Sequence, residues 1–113
     1  MNTCTLPPTN KYPSSRTWQV PTLWELSSKL STQEISVDYL WDLYKGRYCW
    51  ALNGEKITNE HFYHHFGRIL NADLSYPIIL SEEDYIMDGV HRLFKARHLN
   101  LTHINAKKFE IDP

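Results

Sequence analysis

The sequence is short of the residues that define several protein classes. It has two cysteines, Cys4 and Cys49, whose spacing fits neither a disulfide framework nor a metal or redox motif, so both read as reduced structural thiols. No apolar run approaches the roughly 20 residues of a membrane helix, and the opening MNTCTLPPTNKYPSSR lacks the apolar core of a signal peptide. A cytoplasmic protein with no membrane partner is expected. Nor is there an excess of basic charge. Twelve Lys and Arg stand against 13 Asp and Glu, for a net charge of -1, whereas a DNA-binding module draws its affinity from phosphate contacts made by surplus cations. DNA is therefore not an expected partner, although Lys95, Arg97, Lys107 and Lys108 could form a local basic patch.

With 113 residues, 42% of them hydrophobic, the chain can bury one two-layer core. Residues 1–16, with Pro7, Pro8 and Pro13 among Ser, Thr and Asn, read as an extended or mobile arm, leaving 17–113 as a single domain. Pro21 followed by Leu23, Leu26 and Leu30 predicts a helix from about Thr22 to Leu30. The alternation of Ile35, Val37, Tyr39 and Trp41 predicts a strand through EISVDYLWDLY, with a helix left open for its second half. A loop or hairpin with an Asn53–Gly54 turn follows.

Thr58 or Asn59 can cap the next helix, whose Phe62, Phe66, Ile69 and Leu70 form one apolar stripe. YPIIL is a buried strand, SEED a solvated turn, YIM the hairpin partner, GVHRLFKARHL a helix and THINAKKF a closing strand with a solvated AKK face. This order predicts a mixed α+β domain with helices on one side of a small sheet.

The chemistry concentrates at Asp88-Gly89-Val90-His91-Arg92, where the last hairpin strand runs into a helix. The first turn of a helix leaves backbone N–H groups unpaired and its dipole favours anions. Glycine at that point permits a tight turn and the close approach of a ligand. Gly89 and Val90 would offer backbone N–H groups, Arg92 a planar fork for phosphate or carboxylate oxygens, and His91 a donor or acceptor that titrates near neutrality. Asp88 could cap the helix, orient Arg92 or His91, or bind a metal or a sugar hydroxyl. The plain structural alternative is an Asp cap with His91 and Arg92 solvated.

The stretch PIILSEEDYIMDGVHRLFKARHLNLTHINAKKF, with its D-G-x-H-R turn between a strand pair and a helix, resembles the core of the ParB-like and sulfiredoxin-like superfamily over Tyr76 to Phe109. HHFGRILNADLSYP is similar to small bacterial partition-protein-like members. The resemblance implies a compact domain whose turn and helix start bind nucleotide phosphates, which makes Gly89, His91 and Arg92 the phosphate-site candidates. ATP, ADP or CTP would be the nucleotide and Mg²⁺ its companion ion. Val90 stands where sulfiredoxins carry the catalytic cysteine, so sulfinic acid reduction is not expected. Partition proteins have an arginine-rich turn followed by DNA-binding and dimerisation domains, so with the chain ending at Pro113 centromere binding is not expected.

A branch with a similar turn resembles small-molecule kinases that use an upstream acid as base. Asp42 and Glu25 are the upstream acids, Asp42 being preferred because it follows the expected first strand. The candidate catalytic residues are thus Asp42, Asp88 and His91, with Asp73 a further candidate acid. His65 and Arg68, three residues apart on one helix, could reach the same pocket, unless Asp73 simply stops the helix and pairs with Arg68.

His61, His64 and His65 have the spacing of metal ligands on a helix face, with Glu60 and Asp73 nearby, but a polar helix face accounts for them equally, and no metal is assigned. Trp18, Trp24, Trp41 and Trp50 could pack the core or wall a pocket. Two functions follow. One is binding of a phosphorylated ligand, with phosphoryl transfer or nucleotide hydrolysis as its enzymatic form. The other is a non-catalytic regulatory or protein-interaction domain that keeps the motif as a structural turn.

Overall fold

A computed structural model describes residues 3–45 and 58–113. The elements run β1 (Thr3–Leu6), β2 (Arg16–Gln19), α1 (Val20–Ser27), β3 (Gln33–Ser36), α2 (Val37–Tyr44), α3 (Asn59–Asn71), β4 (Ile78–Leu80), β5 (Ile86–Asp88), α4 (Val90–His98) and β6 (His103–Lys108). The fold is mixed α+β, as expected. The hairpin turn proposed at Asn53 and Gly54 lies outside the described residues.

A four-stranded sheet in the order β3-β6-β4-β5 forms the centre, with β6 parallel to β4 and antiparallel to β3, and β4 antiparallel to β5. All three residues of β4 are buried, and its side chains alternate between two apolar clusters. Ile78 and Leu80 pack with Val37 and Leu40 of α2, Leu93 and Ala96 of α4, and Ile104 and Ala106 of β6. Ile79 faces the other way, with Met87, Phe109, Val20 and Leu23 of α1, and Cys4 and Leu6 of β1. The continuous apolar run of β4 is that of a strand covered on both faces. Helices therefore lie on both sides of the sheet, which corrects the one-sided arrangement expected from element order.

The amino-terminal leader contributes to this second cluster. Thr3–Leu6 pairs antiparallel with β2, and the strand period turns Cys4 and Leu6 inward. Burial is the first cause, and the Asp88 carboxylate the second, that push the Cys4 thiol up to about 11, so it stays protonated and packs as an apolar group.

Ser36 breaks the long strand expected through residues 35–44. Its hydroxyl accepts from the Tyr39 amide at 3.1 Å, an N-cap, and Val37, Leu40, Trp41 and Tyr44 then recur at helical spacing. In α1 the buried face is Val20, Leu23 and Ser27, while Leu26 is exposed. Helix α3 starts with a capping box in which Thr58 accepts from the His61 amide and His61 accepts from the Thr58 amide. Its inner face carries His65 and Ile69. Phe62, Phe66 and Leu70, expected as the core stripe, are exposed, Phe62 at 59%, and the two phenylalanines lie parallel with centroids 6.0 Å apart. Just past the end of α4, Asn100 takes φ 58° and closes the helix, with the Asn100 and Leu101 amides donating to the Arg97 and Ala96 carbonyls.

The SEED turn is a hub rather than a solvated tip. Ser81 is fully buried, and its hydroxyl accepts from the amides of Glu83 and Tyr85. Glu82 accepts from Lys11 at 2.6 Å, from Tyr12 and from the Asp112 amide, while Asp112 accepts from the Glu82 amide and pairs with Arg16 at 2.9 Å. Both ends of the described chain are tied there. Asp84 holds Lys108 and accepts from Tyr39. The AKK face is likewise engaged, with Ala106 in the core, Lys107 on α1 carbonyls and Lys108 on Asp84.

Candidate functional site

Strand β5 delivers Asp88 to the edge of the sheet, and Gly89 then caps α4 in the left-handed region with φ 110°. A β-carbon on Gly89 would fall 2.5 Å from Ile78 Cγ2, so packing against β4 demands glycine here whether or not a ligand approaches. The Gly89 carbonyl accepts from the amides of Arg92 and Leu93, which fixes the first turn. Buried Leu93 then anchors the helix on the sheet.

Arg92 returns from this turn toward β5 and the segment before β4. Its guanidinium donates to the Pro77 carbonyl at 3.3 Å, lies 3.7 Å from Asp88 Oδ2 and sits 5.9 Å from the centre of the Tyr76 ring. The same Asp88 oxygen accepts from Trp24 Nε1 at 2.8 Å. Asp88 thus links α1, β5 and α4.

Beside this network lies a cavity of about 490 Å³, lined by Trp24, Ser27, Tyr76, Pro77, Ile79, Asp88, Arg92 and Lys107. Trp24 and Tyr76 are half or more exposed, at 52% and 61%, and form aromatic walls, while buried Ile79 is apolar floor. Lys107 lies 3.4 Å from the carbonyls of Ser27 and Ser28, at the negative end of α1. Two cations and one carboxylate therefore face a pocket of small-molecule size.

His91 turns to the other side of the seam. His65 Nδ1 and His91 Nε2 are 2.9 Å apart, in rings inclined by 17° with centroids at 5.2 Å. The rings meet nitrogen to nitrogen, so one ring donates an N–H to the lone pair of the other. Burial drives the His91 imidazole down to about 4, His65, Arg68 and Arg92 push it the same way, and Asp88 opposes them. His65 is lowered too, first by burial and then by Arg68, His61 and His64. Both shifts favour the neutral rings, and His91 is held below the near-neutral titration expected of it.

The motif is therefore divided. Asp88 and Arg92 line the cavity, Gly89 supports it, and His91 and His65 belong to the α3–α4 contact. Val90 opens α4. Arg68 is exposed on α3, and among the described residues it makes no ion pair with Asp73. Asp73 instead accepts from the Ser75 amide and hydroxyl at 2.9 and 2.7 Å, bonds that hold its carboxyl below the usual range. Asp42 is on α2, paired with Lys45 at 3.2 Å, and neither it nor Asp73 lines the cavity. Strand β3 ends at Ser36 and Asp42 lies within α2, which corrects the strand-end placement that favoured Asp42 as a base.

Among the described residues no three ligand-type side chains converge as a metal site. His61 serves the cap, His64 lies 3.7 Å from Glu60, and His65 meets His91. The four residues of the supposed basic patch are each engaged locally: Lys95 on the Leu70 and Ala72 carbonyls, Arg97 on Asp38, Lys107 on α1 and Lys108 on Asp84. Trp24 fulfils the pocket-wall expectation. Trp18 donates to the Pro113 carbonyl, Trp41 meets Phe94 edge to face, and Trp50 lies outside the described residues.

Sequence reasoning missed Tyr76, Ser27 and Lys107 as cavity residues. They come from segments separated by dozens of residues, and linear spacing carries no sign of their meeting. Leu26 and Trp24, both exposed on α1, are the one partial signal: an amphipathic helix that spares a tryptophan from its buried face. Comparison with protein-family models, with curated proteins and with solved structures found no match.

Proposed function

We propose that the cavity beside the Asp88–Arg92 seam binds a small phosphorylated ligand, with a nucleotide such as ATP, ADP or CTP as the chemical class. The observation that carries this reading is the union of two cations, Arg92 and Lys107, with two exposed aromatic walls, Trp24 and Tyr76, around one cavity. A guanidinium and an ammonium suit phosphate oxygens, and an aromatic ring suits the face of a base. Asp88 is the carboxylate available to a ribose hydroxyl or to a Mg²⁺ carried in by the phosphates, an ion that often uses one or two protein carboxylates. An enzymatic form would transfer or hydrolyse a phosphoryl group, with Asp88 as its acid or base.

Calorimetric titration of wild type, Arg92→Met and Lys107→Met with ATP, CTP and pyrophosphate tests the reading. Binding by wild type that both variants weaken supports it. Equal affinity in all three proteins rejects the phosphate role of the two cations.

The exposed Phe62, Phe66 and Leu70 row on α3 favours a second reading, a non-catalytic interaction domain. In that case the D-G-V-H-R turn serves the fold alone, as the close packing of Gly89 on Ile78 would already require.

A further inference from the structure

Helix α3 is attached unlike the other helices. None of its described residues is fully buried, whereas α1, α2 and α4 each place at least two in the apolar clusters. Among the described residues, Lys95 and His91 of α4 make polar contacts with this helix and its C-cap. Lys95 Nζ donates to the Leu70 and Ala72 carbonyls at 3.0 and 2.7 Å, satisfying the C-terminal end of α3. Six residues before that end, His65 meets His91 through facing ring nitrogens.

We propose that the His65–His91 bond is a proton-sensitive latch that releases α3 from α4 in mild acid while the sheet and its two apolar clusters stay folded. The neutral pair needs one N–H and one lone pair between the rings. A first added proton goes to an outer ring nitrogen and leaves one charge-assisted N–H···N bond between the rings, and a second leaves two N–H groups pointing at each other 2.9 Å apart.

Among the described residues, the charges of Arg68, His61 and His64 on α3 and of Arg92 on α4 oppose even the first proton, and Asp88, which favours it, is already bonded to Trp24 and close to Arg92. Opening α3 returns the imidazoles to water and to their ordinary affinity for protons, so acid favours the open form. The hold of Lys95 on the Leu70 and Ala72 carbonyls makes the C-terminal end of α3 the hinge. The buried Val37, Leu40, Leu93 and Ile104 contain no residue of α3, so its departure leaves the cluster under it intact.

Amide hydrogen exchange of α3 and β6, corrected for intrinsic rates, at pH 7.5 and 4.5, together with imidazole ¹⁵N shifts, tests the latch. Protection over residues 65–70 is expected to fall about tenfold relative to β6 in acid. That figure is smaller than the full linkage of a His91 moving between about 4 and 6.5, since some burial survives opening. His65→Gln should lower α3 protection at neutral pH and remove its extra acid sensitivity, and His91→Gln serves the same purpose should the first variant not fold. The latch is overturned by parallel changes in α3 and β6, by unchanged α3 protection, or by a variant that keeps the wild-type pH dependence.

Discussion

The two sides of the α4 start differ more than their adjacency in sequence suggests. On one side Asp88 lies 3.7 Å from Arg92 and 2.8 Å from Trp24, and the three border an open cavity. On the other, His91 lies against His65, discharged by burial. A helix turns by about 100° per residue, so neighbours in a short motif need not serve one site. Here one turn divides a polar cluster into a ligand-facing half and a packing half, and Gly89, pressed on Ile78, supports both.

Gly89→Ala attacks that shared support and should have the largest effect. The positive φ and the 2.5 Å approach to Ile78 Cγ2 together predict a loss of about 2–4 kcal/mol in urea denaturation, by strain plus overpacking. Both the cavity and the histidine pair should loosen with it. Arg92→Met separates the halves. Ligand affinity should fall roughly 10- to 100-fold, as expected for a lost charge-assisted bond, while the His65 and His91 ¹⁵N shifts still report neutral rings.

Acid separates them in the other direction. His91 is lowered in the folded protein, so the unfolded chain takes up its proton first, and stability should decline as pH drops from about 6.5 toward about 4. Above 6.5 both states are neutral and the histidine has no effect. Glu82, held as a carboxylate down to about 2 by Lys11 and Tyr12, contributes stability that is present above its ordinary 4.5 and lost between there and about 2. Denaturant midpoints measured from pH 7 to 3 should therefore fall in two stages, and His91→Gln should flatten the first stage alone. Trp24→Phe is the mildest change. It removes the donor to Asp88 and should cost about 1 kcal/mol of stability, with a modest loss of ligand affinity.

Much of the fold could be read from the chain. The capped, periodic segments became α3 and α4, and the apolar PIIL and YIM segments became the β4–β5 hairpin. The failures have physical causes. Ile35 to Trp41 alternates by chance across a boundary, and the Ser36 cap decides in favour of a helix that shares several of the same apolar positions. The leader lacks the surface to order itself alone, yet Cys4 and Leu6 find a cluster supplied by α1, β4 and β5. Glu82 looks solvated because its partners, Lys11, Tyr12 and Asp112, come from segments near the two ends of the described chain. Of the cavity, Asp88 and Arg92 could be located from the strand-to-helix turn, and Trp24 only as a candidate pocket wall. Tyr76 and Lys107 join them through the sheet order, which no local pattern encodes.

The most direct test of the proposed ligand site is the thermal midpoint of the purified protein with ATP, ADP, CTP, GTP or pyrophosphate, each with and without Mg²⁺, beside Arg92→Met. A ligand that binds the native state alone raises the midpoint according to its concentration over its dissociation constant. The account predicts a rise with at least one of these phosphates that Arg92→Met loses. No rise with any of them at millimolar concentration, or a rise that Arg92→Met retains in full, would contradict it.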